Sequence, residues 1–103
     1  IPVMSGHSES LYLEVDQEDV TADAIRKVLS QAPGIVLQDD PSTQTYPMVT
    51  TAVNQKETYV GRVRRDVDNP KGFHMWVVSD NLIKGAAWNS IQIAEKMIEM
   101  GLV

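Results

Sequence analysis

Enzyme chemistry near neutral pH needs a group that can both take and give a proton, and His7 offers one in the segment Ser5-Gly6-His7-Ser8-Glu9-Ser10. An unperturbed imidazole titrates near neutrality, so it can accept a proton from a thiol and later return one to a carbonyl oxygen. Gly6 allows close approach of a backbone or a substrate, and Ser8 and Glu9 are placed to orient the ring. From these residues alone, a surface histidine in a serine-rich turn is the simpler reading, because a lone histidine without a partner carries little information. His74, in the apolar run Phe73-His74-Met75-Trp76-Val77-Val78, reads as a structural histidine on the less buried face of a strand, and it is assigned no role. The two histidines have no ligand spacing and no cysteine beside them, so no metal site is expected.

Two further segments carry polar groups of interest. Asp80 to Ser90 turns from strand to helix, and its Gly85, Ala86 and Ala87 allow the helix start to pack closely. Helix N-termini also suit anions, since their first N–H groups lack partners, but the run has no phosphate-loop spacing and packing is the simpler reading. Guanidinium forks match phosphate oxygens, which draws attention to Arg62, Arg64 and Arg65. Strand alternation puts Arg62 and Arg64 on one face and Arg65 on the other, so the three do not converge. Ion pairs within or between subunits are the preferred reading of these arginines. Asp16, Glu18 and Asp19 read as a solvated turn.

The elements that must position these residues follow from periodicity. From Ser10 onward Leu11, Leu13 and Val15 alternate with Tyr12 and Glu14, which is strand patterning. Thr21 is a good N-cap, Val20 and Ile25 can form a staple across it, and Asp23 suits the positive end of the helix dipole. Ile25, Val28 and Leu29 form an apolar stripe, and Pro33-Gly34 ends the helix. Ile35 to Leu37 reads as a short strand, and 38–56 as an irregular connection with one short strand near Met48 to Val53. Thr58 to Arg65 and Phe73 to Ser79 read as an antiparallel hairpin about a turn rich in Asn, Pro and Gly. Ala87, Ile91, Ala94 and Ile98 mark a helix from about Lys84 to Met100, stopped by Gly101, with Trp88, Met97 and Met100 widening its apolar surface beyond one face. A helix of that kind needs two neighbours. The expected class is α+β, a mixed, mostly antiparallel sheet with helices on one side.

Composition narrows the function classes. A chain of 103 residues with 43% hydrophobic residues has room for one small folded domain. No stretch approaches the ~20 apolar residues that span a bilayer, so no membrane partner is expected. A formal charge of -5 argues against a nucleic-acid surface. The absence of cysteine excludes disulfides and thiolate metal sites.

Ser5 to Ser10, Val60-Gly61-Arg62-Val63-Arg64-Arg65-Asp66 and Asp80 to Ser90, in this order and spacing, closely resemble the C-terminal part of the aspartate-semialdehyde dehydrogenase family. The resemblance runs from Ile1 to Met100. It implies a portion of a glyceraldehyde-3-phosphate-dehydrogenase-like C-terminal domain, with 1–79 part of the catalytic and dimerisation domain and 80–103 a segment and helix that pack on an NADP-binding domain. It implies His7 as the acid/base histidine, Asn81 as a contact at the nicotinamide end of the NADP site, and NADP as cofactor. The family's substrate-binding arginine would lie immediately before Ile1, and its nucleophilic cysteine further upstream. The expectation is therefore a part of a cytoplasmic, homodimeric or tetrameric enzyme of amino-acid biosynthesis that acts on a small-molecule substrate together with the remainder of the enzyme. The alternative is a non-catalytic α+β dimerisation or interaction module.

Overall fold

The computed structural model describes residues 1–83 and 88–101. In chain order the elements are β1 (His7–Glu14), α1 (Ala22–Gln31), β2 (Ile35–Leu37), a 3₁₀ turn (Pro41–Thr43), α2 (Val49–Ala52), β3 (Thr58–Arg65), β4 (Gly72–Ser79) and α3 (Trp88–Glu99). The strands lie side by side as β1-β4-β3-β2, with β4 antiparallel to both neighbours and β2 parallel to β3. This is the expected α+β class with a mixed, mostly antiparallel sheet.

Alternation along β3 and β4 divides the core between the two faces of the sheet. Val60, Val63 and Met75 face α1, where Ile25 and Leu29 cover them. Tyr59 and Val78 face the other way and pack on Ala52 of α2, with Val36, Val49 and Trp76 around them. Helix α1 begins where Thr21 Oγ1 accepts the Ala24 N–H at 3.1 Å, and Asp23 sits in its first turn. It ends at Ala32, whose N–H reaches Leu29 O, and Gly34 follows with φ +77°. Val28, expected on the apolar stripe, is instead 68% exposed, and the α1 residues that pack on the sheet are the partly buried Ala22, Ile25 and Leu29.

The expectation of helices on one side describes the ten-residue α1, while the four-residue α2 sits on the opposite face. Nor do residues 48–53 form the expected strand. Met48 O accepts the N–H groups of Thr51 and Ala52, and one helical turn sets Val49 and Ala52 on a single side against Tyr59 and Val78. Burial of Ala52 thereby overrides the β-branched bias of Val49, Thr50 and Thr51.

Strand β3 contains a bulge. Gly61 lies opposite Trp76 and Arg64 opposite His74, so β3 spends one residue more than β4, and Arg62 takes φ +56°. The bulge takes the backbone of Val63 out of the ladder. Its N–H donates to Asp39 Oδ2 at 3.0 Å and its carbonyl accepts from Arg26 Nη2 at 2.7 Å. Arg26 Nε also donates to the same Asp39 oxygen at 2.7 Å, and Nη1 to Asp23. Just before the bulge, a Cβ on Gly61 would lie 2.1 Å from Gln38 O and 2.5 Å from Pro47 Cδ, so no larger residue fits there.

Among the described residues, the expected intrasubunit ion pairs of Arg62, Arg64 and Arg65 do not form. Arg64 Nη1 donates to Arg62 O, while Arg65 donates to Val20 O and lies over the Phe73 ring. Arg64 and Arg65 thus reach backbone carbonyls and an aromatic face, whereas Arg26 of α1 is paired with Asp23 and Asp39.

Helix α3 closes as expected, with Gly101 at φ +76° and its N–H on Ile98 O. Ile91, Ile93 and Ile98 on it, and Met100 just after it, are exposed. Its expected start at Lys84, the run Gly85 to Ala87 and the side chain of Trp88 lie outside the described residues. No helix among the described residues is long and apolar enough to cross a membrane.

The buried Asp39 carboxylate serves a guanidinium and a bulge N–H together, so removing it strands the Val63 N–H and leaves Arg26 only the exposed Asp23 and the Val63 carbonyl. Asp39→Ala is expected to cost about 3 kcal/mol of stability. Urea unfolding of the variant and the parent protein measures this, and a loss below about 0.5 kcal/mol, the ordinary surface-substitution range, would remove the ion pair from its structural role.

Candidate active site

The β1–β4 ladder brings together the two segments that sequence separates most widely. Its register sets His7 opposite Ser79, so the chain preceding His7 runs beside the chain leaving β4. There the Gly6 N–H donates to Asn81 Oδ1 at 3.2 Å, across 75 positions of sequence. Gly6 has φ +90°, and a Cβ on it would meet Val49 Cγ1 at 2.7 Å, so both backbone conformation and space require glycine. The fold thus places both candidate site residues, His7 and Asn81, at the same end of the sheet.

His7 Nε2 lies 2.9 Å from Glu9 Oε1, and both side chains are solvent-exposed. Residues two apart on a strand share a face, so Glu9 can reach the ring. Ser8 points the other way, and its buried Oγ has no partner among the described residues, so it does not orient the ring as the sequence suggested.

The turn that presents Asn81 is held by Asp80, a residue to which sequence reasoning gave no role. Its carboxylate is buried: Oδ2 accepts the Asn54 N–H at 2.8 Å, and Oδ1 accepts those of Leu82 at 2.9 Å and Ile83 at 3.3 Å. These donors, Asn54 foremost, hold the Asp80 carboxyl below its ordinary pKa. The local signal was legible: an aspartate at the end of a strand commonly caps the backbone two residues on. The reach to Asn54 was not, because it depends on α2.

His74 keeps its structural reading. Its Nε2 lies 2.7 Å from Asp66 Oδ1, and its ring stacks at a tilt on Tyr12 with centroids 5.0 Å apart. The His74 contact leads the causes that lower the Asp66 pKa. No three His, Asp or Glu side chains among the described residues form a metal-binding group. On the α2 face of the sheet, a hollow of about 440 Å³ is lined by Ser8, Ser10, Pro47, Met48, Arg62, Arg64 and Trp76, with the Trp76 indole N–H on Pro47 O at 3.1 Å. Neither His7 nor Asn81 lines it. The strand-end arrangement supplies an imidazole beside a carboxylate and an amide whose NH₂ group has no partner among the described residues, which suits proton transfer next to a polar ligand.

A mixed sheet of this kind places the chain in a known class, for residues 1–84 match the family described as the semialdehyde dehydrogenase dimerisation domain. The chain belongs to that family. It is 55% identical over 103 residues to an aspartate-semialdehyde dehydrogenase of Bacillus subtilis (strain 168), and 45% identical over 103 residues to one from Aquifex aeolicus (strain VF5). Each match takes in 100% of this chain and 30% of the relative, so the chain spans about a third of the proteins it resembles. Among solved structures, aspartate semialdehyde dehydrogenase II of Vibrio cholerae, described as complexed with ASA, superposes with a TM-score of 0.85 at 36% identity, covering 96% of this chain and 29% of that one. A probable aspartate-semialdehyde dehydrogenase of Pseudomonas aeruginosa gives 0.83 at 39% identity, covering 94% and 28%.

Asp80 makes a pH-dependent contribution to this turn. Its pKa is lowered in the fold, so the stabilisation is present above the unfolded carboxylate value of about 4 and is lost as pH falls through the lower folded value. Asp80→Asn is therefore expected to lower the urea midpoint near neutrality and to flatten its fall as pH drops below about 4. An unchanged midpoint at neutral pH would show that the carboxylate does not hold the turn.

Proposed function

We propose that this chain forms the C-terminal part of an NADP-dependent aspartate-semialdehyde dehydrogenase, which converts L-aspartyl 4-phosphate to L-aspartate 4-semialdehyde by reductive dephosphorylation in the cytoplasm. The observation that carries this reading is the meeting of Gly6-His7 with Asn81 across the β1–β4 ladder, in a chain of this family. His7 is the proton shuttle: it takes the proton of a cysteine thiol contributed by the rest of the enzyme, gives it to the acyl oxygen as hydride adds, and takes it back as the carbon–sulfur bond breaks and the aldehyde leaves. Glu9, 2.9 Å away, holds the ring.

Asn81 fits the nicotinamide carboxamide. Its Oδ1 is taken by the Gly6 N–H, and its NH₂ group, on an exposed residue and without a partner among the described residues, suits donation to a carboxamide oxygen. NADP, when bound, supplies the hydride chemistry. The exposed Ile91, Ile93 and Ile98 of α3 suit a surface covered by the nucleotide-binding domain. Arg62 and Arg64, exposed beside the hollow at Trp76 and without carboxylate partners among the described residues, suit ion pairs across a homodimer interface.

In the complete enzyme, His7→Asn should lower kcat by about 10² or more with the KM for NADP nearly unchanged. Steady-state kinetics in the oxidative direction, with semialdehyde, phosphate and NADP, measures both; a near-wild-type kcat returns His7 to a structural role. The 103-residue chain alone has no cysteine to act as nucleophile and should not reduce NADP with the same substrates. Turnover above buffer by the pure chain contradicts that.

A further inference from the structure

The hydrogen bond from Gly6 to Asn81 does more than leave an amide donor free. Gly6 immediately precedes His7, and its N–H is aimed at a side chain rather than at the backbone of β4. The partner is fixed in turn: Asn81 follows Asp80, whose buried carboxylate anchors the turn through Asn54, Leu82 and Ile83. On its other side Gly6 lies against Val49, with no room for a side chain. The backbone entering the proton-transfer residue is therefore clamped between α2 and the turn after β4. The clamp comes from the side chain of an exposed residue whose NH₂ group has no partner among the described residues.

We infer that Asn81 is a positioning residue for His7, so that one side chain sets both the proton-transferring imidazole and the ligand-facing amide of the site. The inference rests on the proposed reading of His7 as the proton shuttle. The physical reason is that a site sharing one anchor holds its two reacting partners in fixed relation, and a displacement of ~1 Å at such a centre can cost ~10²-fold in rate. A contact to cofactor alone predicts that Asn81 acts through KM. An anchor for His7 predicts that it acts through kcat as well, and only while His7 is there to be positioned.

The test is a double-mutant cycle in the complete enzyme. Asn81→Ala should lower kcat by about tenfold, the size of one lost positioning hydrogen bond, and raise the KM for NADP. Asn81→Asp keeps an oxygen acceptor for Gly6 and loses the NH₂ donor, so it should recover most of kcat while the KM stays raised. In the His7→Asn background, Asn81→Ala should lower kcat no further. A readout independent of turnover comes from the cofactor-free protein: amide hydrogen exchange at Gly6 should quicken by about tenfold in Asn81→Ala and stay near the parent rate in Asn81→Asp. Equal loss of kcat from Asn81→Ala in both backgrounds, or unchanged Gly6 exchange, overturns the inference. A near-wild-type kcat for His7→Asn alone overturns instead the proton-shuttle reading beneath it.

Discussion

Strand β4 has a hydrogen-bonded neighbour on each side, and its register against β1 is the constraint on which the site depends. Phe73, Met75 and Val78 are buried, and successive residues along the strand serve opposite faces. A slip of one position would turn Met75 away from α1 and Val78 away from α2. Each fully buried apolar side chain is worth about 1.5–3 kcal/mol, so the correct register is strongly preferred. That same register sets Ser79 against His7, and the meeting of Gly6 with Asn81 follows from it.

The bulge in β3 gives the two faces different fates. By adding a residue at Arg62 it keeps Val63 in the core beside Val60 while leaving Arg62 and Arg64 on the rim of the hollow at Trp76. Its cost is a Val63 backbone without ladder partners, and the Asp39–Arg26 pair takes up both of the groups released. Buried charge pairs are weak evidence of stability in general, but here the pair also satisfies backbone groups that would otherwise be stranded. One ion pair therefore links α1, the segment after β2 and the strand that carries the exposed arginines.

Elements with strong local signals were legible in the sequence: the capped start and Pro-Gly end of α1, the β3–β4 hairpin about its turn, and the alternation of β1. The missing ones are those decided by distant contacts. Helix α2 is a run of β-branched residues that reads as strand until Ala52 is given Tyr59 and Val78 to pack against. Asp39 sits in a polar stretch that looks like loop, and its partners lie 13 and 24 positions away. Periodicity has no access to such pairs. For the site, chemistry made His7 a candidate that the residues alone left as a surface histidine; the resemblance singled out His7 and Asn81, while the Gly6–Asn81 contact and the anchor Asp80 emerge only when the ladder places them. Val28 shows the reverse failure, a residue of the right type at the right spacing that faces solvent because the stripe needed to cover the sheet is narrower than the pattern.

The central claim is that His7 and Asn81 form one site because β1 and β4 share this register. A crystal structure of the complete enzyme with bound NADP tests it most directly. The account predicts the Asn81 amide within hydrogen-bond reach, about 3 Å, of the nicotinamide carboxamide, with Gly6 still on Asn81 Oδ1 and the His7 imidazole facing the same pocket. A nicotinamide seated away from the β1–β4 strand end, or a His7 ring separated from it by the sheet, contradicts the account.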